Sequence, residues 1–260
     1  MRVGLDLPVL TATSREAVLA YARAAESLGF DSLWSNSHTV VPVTFAPRYP
    51  YSADGRPVWN ATSSWPDAMT TMAFVAAATE RVRLGIAVVP LITTHPIRLA
   101  KQVATIDVLS KGRFELGVGG GWLVEEAQAL GNPTDHPVAR MEETIEILRL
   151  AWREPTFSYD GRFWKIPPVG VNPRPLQGER LPLWIGGHGD AAVRVGRWVV
   201  HLGADGGEAR GIPGEAPRSE RDRAARGVAS ARACRGPVAR SRARDARCGR
   251  GSARRRSTLG

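Results

Sequence analysis

Apolar and polar positions change period repeatedly along the first 200 residues, and each change predicts a new element. A strand-like run, Val3 to Leu7, precedes a helix from about Ser14 to Leu28, opened by a Thr13/Glu16 capping box and closed at Gly29. Ser32 to Trp34 is a short strand. Ser64 with Asp67 caps a helix that runs to about Thr79, and Val82 to Val89 follows as a buried strand. Pro96 suits a first helical turn and starts a helix from about Ile97 to Leu109, which Gly112 stops before a fourth strand, Phe114 to Val118. Met141, Ile145, Leu148 and Trp152 share one face of a helix from about Val138 to Trp152. Phe157 to Ile166, broken at Asp160-Gly161, is a hairpin. Leu183 to Ile185 is the fifth parallel strand and leads through Gly186-Gly187 into a helix from about Asp190. Five strand-helix units of this kind make a parallel sheet wrapped by helices, and an eight-stranded barrel would need three more.

Composition changes the picture beyond residue 200. Residues 201–260 hold 15 Arg, 12 Ala and 10 Gly but no Lys and no Phe, Trp or Tyr, and Leu202, Ile212, Val228, Val238 and Leu259 are their sizeable aliphatics. So little apolar surface cannot offset the entropy of ordering the chain. The expectation is one domain over 1–200, cut short at its C-terminal side, and an Arg/Ala/Gly-rich disordered tail over 201–260. The tail's 15 Arg against 6 acids give +9 of the chain's +10, leaving +1 for residues 1–200. High basicity is therefore no guide to what the first 200 residues meet. Without aromatic platforms the tail offers nucleic acid only non-specific attraction. Ala, Arg, Gly and Pro all have GC-rich codons, so a shifted reading frame in a GC-rich gene would produce such a tail and leave an inactive fragment with an unfinished barrel. No run approaches the roughly 18 apolar residues of a membrane helix. The start lacks a signal-peptide pattern and both cysteines, Cys234 and Cys248, fall in the tail, so a cytoplasmic protein without disulfides or a metal site is expected.

Several positions carry candidate chemistry. About 30 residues rich in Pro and aromatics (among them Tyr49, Tyr51, Trp59 and Trp65) follow the second strand, a length that marks functional loops. His38 lies at its start, where an imidazole suits proton transfer near neutral pH, or is simply a loop histidine. Val88 and Val89 end the third strand as buried residues or as part of a site. Gly117 to Trp122 (GVGGGW) is a flexible turn or a place where a flat ring can approach backbone closely. Its spacing and position exclude the Rossmann fingerprint. Glu126 reads as a solvated residue of a first helical turn, with Glu125 a weak site candidate. Gly186 and Gly187 precede a helix start, which is a tight turn or an anion site. No G-x-S-x-G, H-E-x-x-H, P-loop or Cys-x-x-Cys pattern occurs.

Gly29 to Trp34 (GFDSLW), Thr79 to Gly85 (TERVRLG), His95 to Gln102 (HPIRLAKQ), Gly112 to Gly119 (GRFELGVG), Asp160 to Phe163 (DGRF) and Pro182 to Gly187 (PLWIGG) occur in this order. Through them residues 1–197 resemble the luciferase-like monooxygenase family, particularly its deazaflavin (coenzyme F420)-dependent branch. The resemblance implies an α/β fold, a TIM (β/α)8 barrel of the bacterial luciferase type, here about five units long, with its active site at the C-terminal ends of the strands. It also implies that His38 sits against the cofactor ring and assists proton movement. Such a histidine usually follows an Asp, whereas here Ser35, Asn36 and Ser37 precede it, so its acidic partner is missing. A non-proline cis peptide near Val88 and Val89 would press on the ring. Gly119, Gly121, Trp122 and Glu125 would border the cofactor, and Gly186 and Gly187 would receive its phosphate. The implied activity is an oxidoreductase passing a hydride between F420 and a small organic substrate shaped by the loop from Ser35 to Trp65. The alternative is an FMN-dependent monooxygenase using O2 and a partner reductase. A homodimer is left open.

Overall fold

The computed structural model describes residues 3–11, 14–46, 48–49, 51–186 and the backbone of 199–200. The tail expected over 201–260, the helix expected from Asp190 and the anion-site residue Gly187 all lie outside the described residues. Strands β1 (Gly4–Asp6), β2 (Ser32–Ser35), β3 (Arg83–Pro90), β4 (Phe114–Gly119) and β7 (Leu183–Gly186) fall where the apolar pattern puts them. They pair in chain order, β1-β2-β3-β4-β7, and every pair is parallel. A doubly wound sheet would reverse its order at a switch point, so this is the winding of a barrel. One correction concerns the end of the sheet. Five parallel strands were expected, yet a two-residue strand β8 (Val199–Val200) pairs in parallel with β7 and makes a sixth member.

Helices α1 (Arg15–Ser27), α2 (Ala68–Ala78), α3 (Pro96–Leu109) and α5 (Pro137–Arg153) pack each on the next, forming one layer over the sheet. Leu33, Leu84, Ile86, Phe114, Leu116, Val118 and Ile185 fill the seam between sheet and helices, where they meet Ala22, Met72, Val103, Leu148 and Trp152 in a single core. The opposite face of the sheet carries polar residues, glycine and two tryptophans. Trp34 lies over Gly85, where a Cβ would come within 2.3 Å of its ring, and meets Trp184 edge-on at 6.2 Å. Beneath them Glu115 accepts from Arg83 Nε and, at 2.6 Å, from Trp184 Nε1.

Helix starts follow the capping logic with two shifts. Thr13 is outside the described residues, and Ser14 caps α1, its Oγ accepting from Ala17 N at 3.1 Å. Asp67, not Ser64, caps α2 by accepting from Thr70 N at 2.7 Å. The hairpin of β5 (Phe157–Asp160) and β6 (Lys165–Val169) forms as expected and stands apart from the main sheet. Short helix α4 (Val124–Ala129) follows β4 closely, and it is this element that completes the candidate site.

Candidate active site

The strands are parallel, so their C-terminal ends share one edge, and β2, β3, β4 and β7 deliver Asn36 onward, Pro90, Gly120 and Gly186 to it. His38 lies there, its side chain 10% exposed, with Nδ1 2.8 Å from Glu126 Oε2. This corrects two expectations. Glu126 is not a solvated residue of a helical turn but a carboxylate only 1% exposed, and His38 does have an acidic partner. The partner comes from α4, 88 positions along the chain, not from the residues before His38. The physical reason is geometric: the loop after β2 folds back over the start of α4. There, Glu126 Oε1 also accepts from Thr39 N at 2.5 Å and Val40 N at 3.3 Å, which meets the cost of burying a charge.

Glu125 clamps the same loop further on. Its Oε1 accepts from Ala46 N at 3.1 Å and Arg48 Nη2 at 2.9 Å. Burial pushes the Glu125 carboxyl up, but the Ala46 N–H and the Arg48 guanidinium outweigh it and leave it below the usual carboxylate range. His38, Thr39, Val40, Ala46 and Arg48 are thus tied to α4 at two adjacent glutamates.

Aromatic rings enclose the imidazole. Trp59 and Trp65 each stand 4.9 Å from the His38 ring centroid, and Trp122 stands 6.2 Å away. Phe45 and Tyr49 extend the wall, at 6.0 and 5.3 Å from Trp122. The indole Nε1 of Trp65 is buried without a hydrogen-bond partner.

The glycine positions separate into two kinds. The Ala87-Val88 peptide is cis, at the strand end where the resemblance put such a bond. A Cβ on Gly119 would lie 3.0 Å from Val88 Cγ2, and one on Gly186 would lie 2.8 Å from Val88 Cγ1. Val88, Gly119 and Gly186 therefore meet at the edge, where the missing side chains make room for Val88 itself. Gly121 has φ +91° and its Cβ would strike Ile92, so the turn demands a glycine there. Gly120 differs, because a Cβ on it would meet nothing within 4 Å. Val89 is buried, whereas Val88 is partly exposed. An open stretch of backbone beside a partly exposed Val88 fits a flat ring system.

The sequence profile of the luciferase-like monooxygenases matches residues 4–236. This chain belongs to that family. An uncharacterized protein of Mycobacterium tuberculosis is 33% identical over 187 residues, covering 72% of this chain and 65% of its own length. The F420-dependent glucose-6-phosphate dehydrogenase of Microbacterium testaceum is 30% identical over 184 residues, 68% of this chain and 48% of that one. Among solved structures, monooxygenase RslO1 from Streptomyces bottropensis superposes with a TM-score of 0.60 at 29% identity, over 76% of this chain and 59% of that chain. The chain thus spans about half to two thirds of the length of these members of the family. No helix among the described residues is long and apolar enough to cross a membrane.

Glu126, Trp59 and Trp65 are the site residues the sequence reading missed. The two tryptophans stand in a loop already marked as functional, and their aromatic density was the available signal. For Glu126 no local signal existed, since the helix start and the pair Glu125-Glu126 fit a solvated turn equally well.

Proposed function

We propose that this site is the deazaflavin-binding centre of an oxidoreductase that exchanges a hydride with a small organic substrate. The observation that carries the reading is the His38–Glu126 pair, buried among aromatic rings on the strand-end edge that also holds the partly exposed Val88 and open Gly120. The F420-dependent relative at 30% identity supports the choice of cofactor. Val88, Gly119 and Gly120 would face a ring system, Trp122 would border it, and Gly186 would lie toward its phosphate-bearing end. Bound F420 would supply the ring carbon that accepts or gives the hydride. The protein's part is to orient substrate, exclude water with the aromatic wall, and hold or release a proton at His38 Nε2.

A flavin-dependent monooxygenase is the second reading, favoured by the 29% identity to RslO1. Equilibrium binding separates the two. The chain is titrated against F420 and, separately, against FMN, each followed by its own fluorescence. Tighter retention of F420 is expected. Retention of FMN alone transfers the site to the monooxygenase reading, and retention of neither defeats both.

A further inference from the structure

The carboxylate of Glu126 is divided between two tasks. Oε1 takes two backbone N–H groups, of Thr39 and Val40, and this bond pair alone would secure the start of the loop. Oε2 is left for the imidazole, 2.8 Å from Nδ1. When the carboxyl is ionised both of its oxygens accept, and the ring nitrogen facing Oε2 then carries the hydrogen. In a neutral imidazole this leaves the lone pair on Nε2. No described residue hydrogen-bonds to Nε2, and Trp59 and Trp65 hold the ring from two sides.

We propose that Glu126 is a positioning residue that fixes His38 in the Nδ1–H tautomer, with Nε2 as the proton acceptor, and makes that tautomer depend on residues 38–40 staying seated on α4. The dependence arises because the same carboxylate holds His38, Thr39 and Val40: lifting the loop removes the ring and both amides from Glu126 together. The role in turnover rests on the oxidoreductase reading above, but the tautomer does not.

The test labels the five histidines of the full chain with 15N and reads their ring-nitrogen shifts above pH 7.5, assigning His38 by its loss in His38→Asn. A protonated Nδ1 on His38 is expected. A protonated Nε2 overturns the proposal, even if F420 binding and turnover are found. Glu126→Ala is expected to release His38 to the Nε2–H form that free imidazoles favour in water. Glu126→Gln keeps a carbonyl acceptor and is expected to restore part of the Nδ1–H population, which a purely structural role would not do. With cofactor bound, Glu126→Ala should lower kcat by about 10- to 100-fold with KM changed far less. An unchanged tautomer in Glu126→Ala would sink the idea. The expected tautomers without any cofactor binding would instead sink the oxidoreductase reading and leave this one standing.

Discussion

Glu115 and Glu126 are both buried carboxylates, one near the N-terminal end of β4 and one on α4 just past the C-terminal end of that strand, yet their partners differ in kind. Glu115 is held by Arg83 and Trp184, two side chains rooted on regular strands. A guanidinium is a permanent cation in proteins. Glu126 is held by an imidazole and by two amides of a long loop. Burial alone therefore says little about role. A permanent cation on rigid strands makes a fixed cross-link, whereas a group that can gain or lose a proton, carried on a loop, makes a device that can respond.

The sharpest way to break this contrast is to remove each carboxylate in turn. Glu115→Ala leaves the Arg83 charge with Gln177 Oε1 at 3.4 Å as its remaining side-chain partner. Because Arg83 still reaches solvent in part, we expect a loss of about 3 kcal/mol, at the lower end for a broken buried pair. His38 should keep its tautomer in that variant. Denaturant unfolding measures the first result and histidine ring shifts the second. Glu126→Ala should cost less, about 1–2 kcal/mol, and the cost should be local, with faster hydrogen exchange at the Thr39 and Val40 amides. Equal global losses in the two variants would erase the distinction.

A smaller effect sharpens the site side of the comparison. Gly117→Ala would push a Cβ within 2.3 Å of the Ile86 carbonyl oxygen, a backbone atom that cannot step aside. Gly120→Ala meets open space. The first should destabilise by about 1–3 kcal/mol, and the second should stay within about 0.5 kcal/mol while weakening F420 binding. A Gly120→Ala variant that binds the cofactor as tightly as the parent would remove that backbone from the ring site.

The strands were legible because each carries its own signal. Leu84 and Ile86, or Leu116 and Val118, are apolar runs that face the helices whatever surrounds them. Candidate residues brought together by parallel pairing, such as Val88, Gly119 and Gly186, were legible for the same reason, since strand ends of one sheet share an edge. The His38–Glu126 pair was not. Its two members are 88 positions apart, and what joins them is the path of an irregular loop, for which hydrophobic period offers no register. The Ser14 cap shows the same limit on a small scale: Thr13 and Ser14 both qualify, and only backbone geometry chooses.

The smallest expected effect concerns a second histidine that lacks a carboxylate. His95 caps α3, its Nδ1 accepting from Ile97 N at 3.2 Å, and its ring meets Trp164 edge-on at 4.8 Å. Burial holds its pKa below the ordinary value of 6.5. The folded chain then binds fewer protons here than the unfolded chain, so the contribution is complete above about pH 6.5 and is lost as pH falls from there through the folded value. Protonation also converts the capping acceptor into a donor, which the Ile97 amide cannot use. His95→Asn keeps an acceptor at the cap but does not titrate. We expect the parent chain to lose about 0.5 kcal/mol more than His95→Asn when the pH is lowered from 7.5 to 5, measured by urea unfolding of both. Parallel pH profiles would mean that the cap at His95 does not depend on its neutral form. A variant already less stable than the parent at pH 7.5 would mean that Asn fails as a replacement, and that the imidazole's packing on Trp164 outweighs its bond to Ile97.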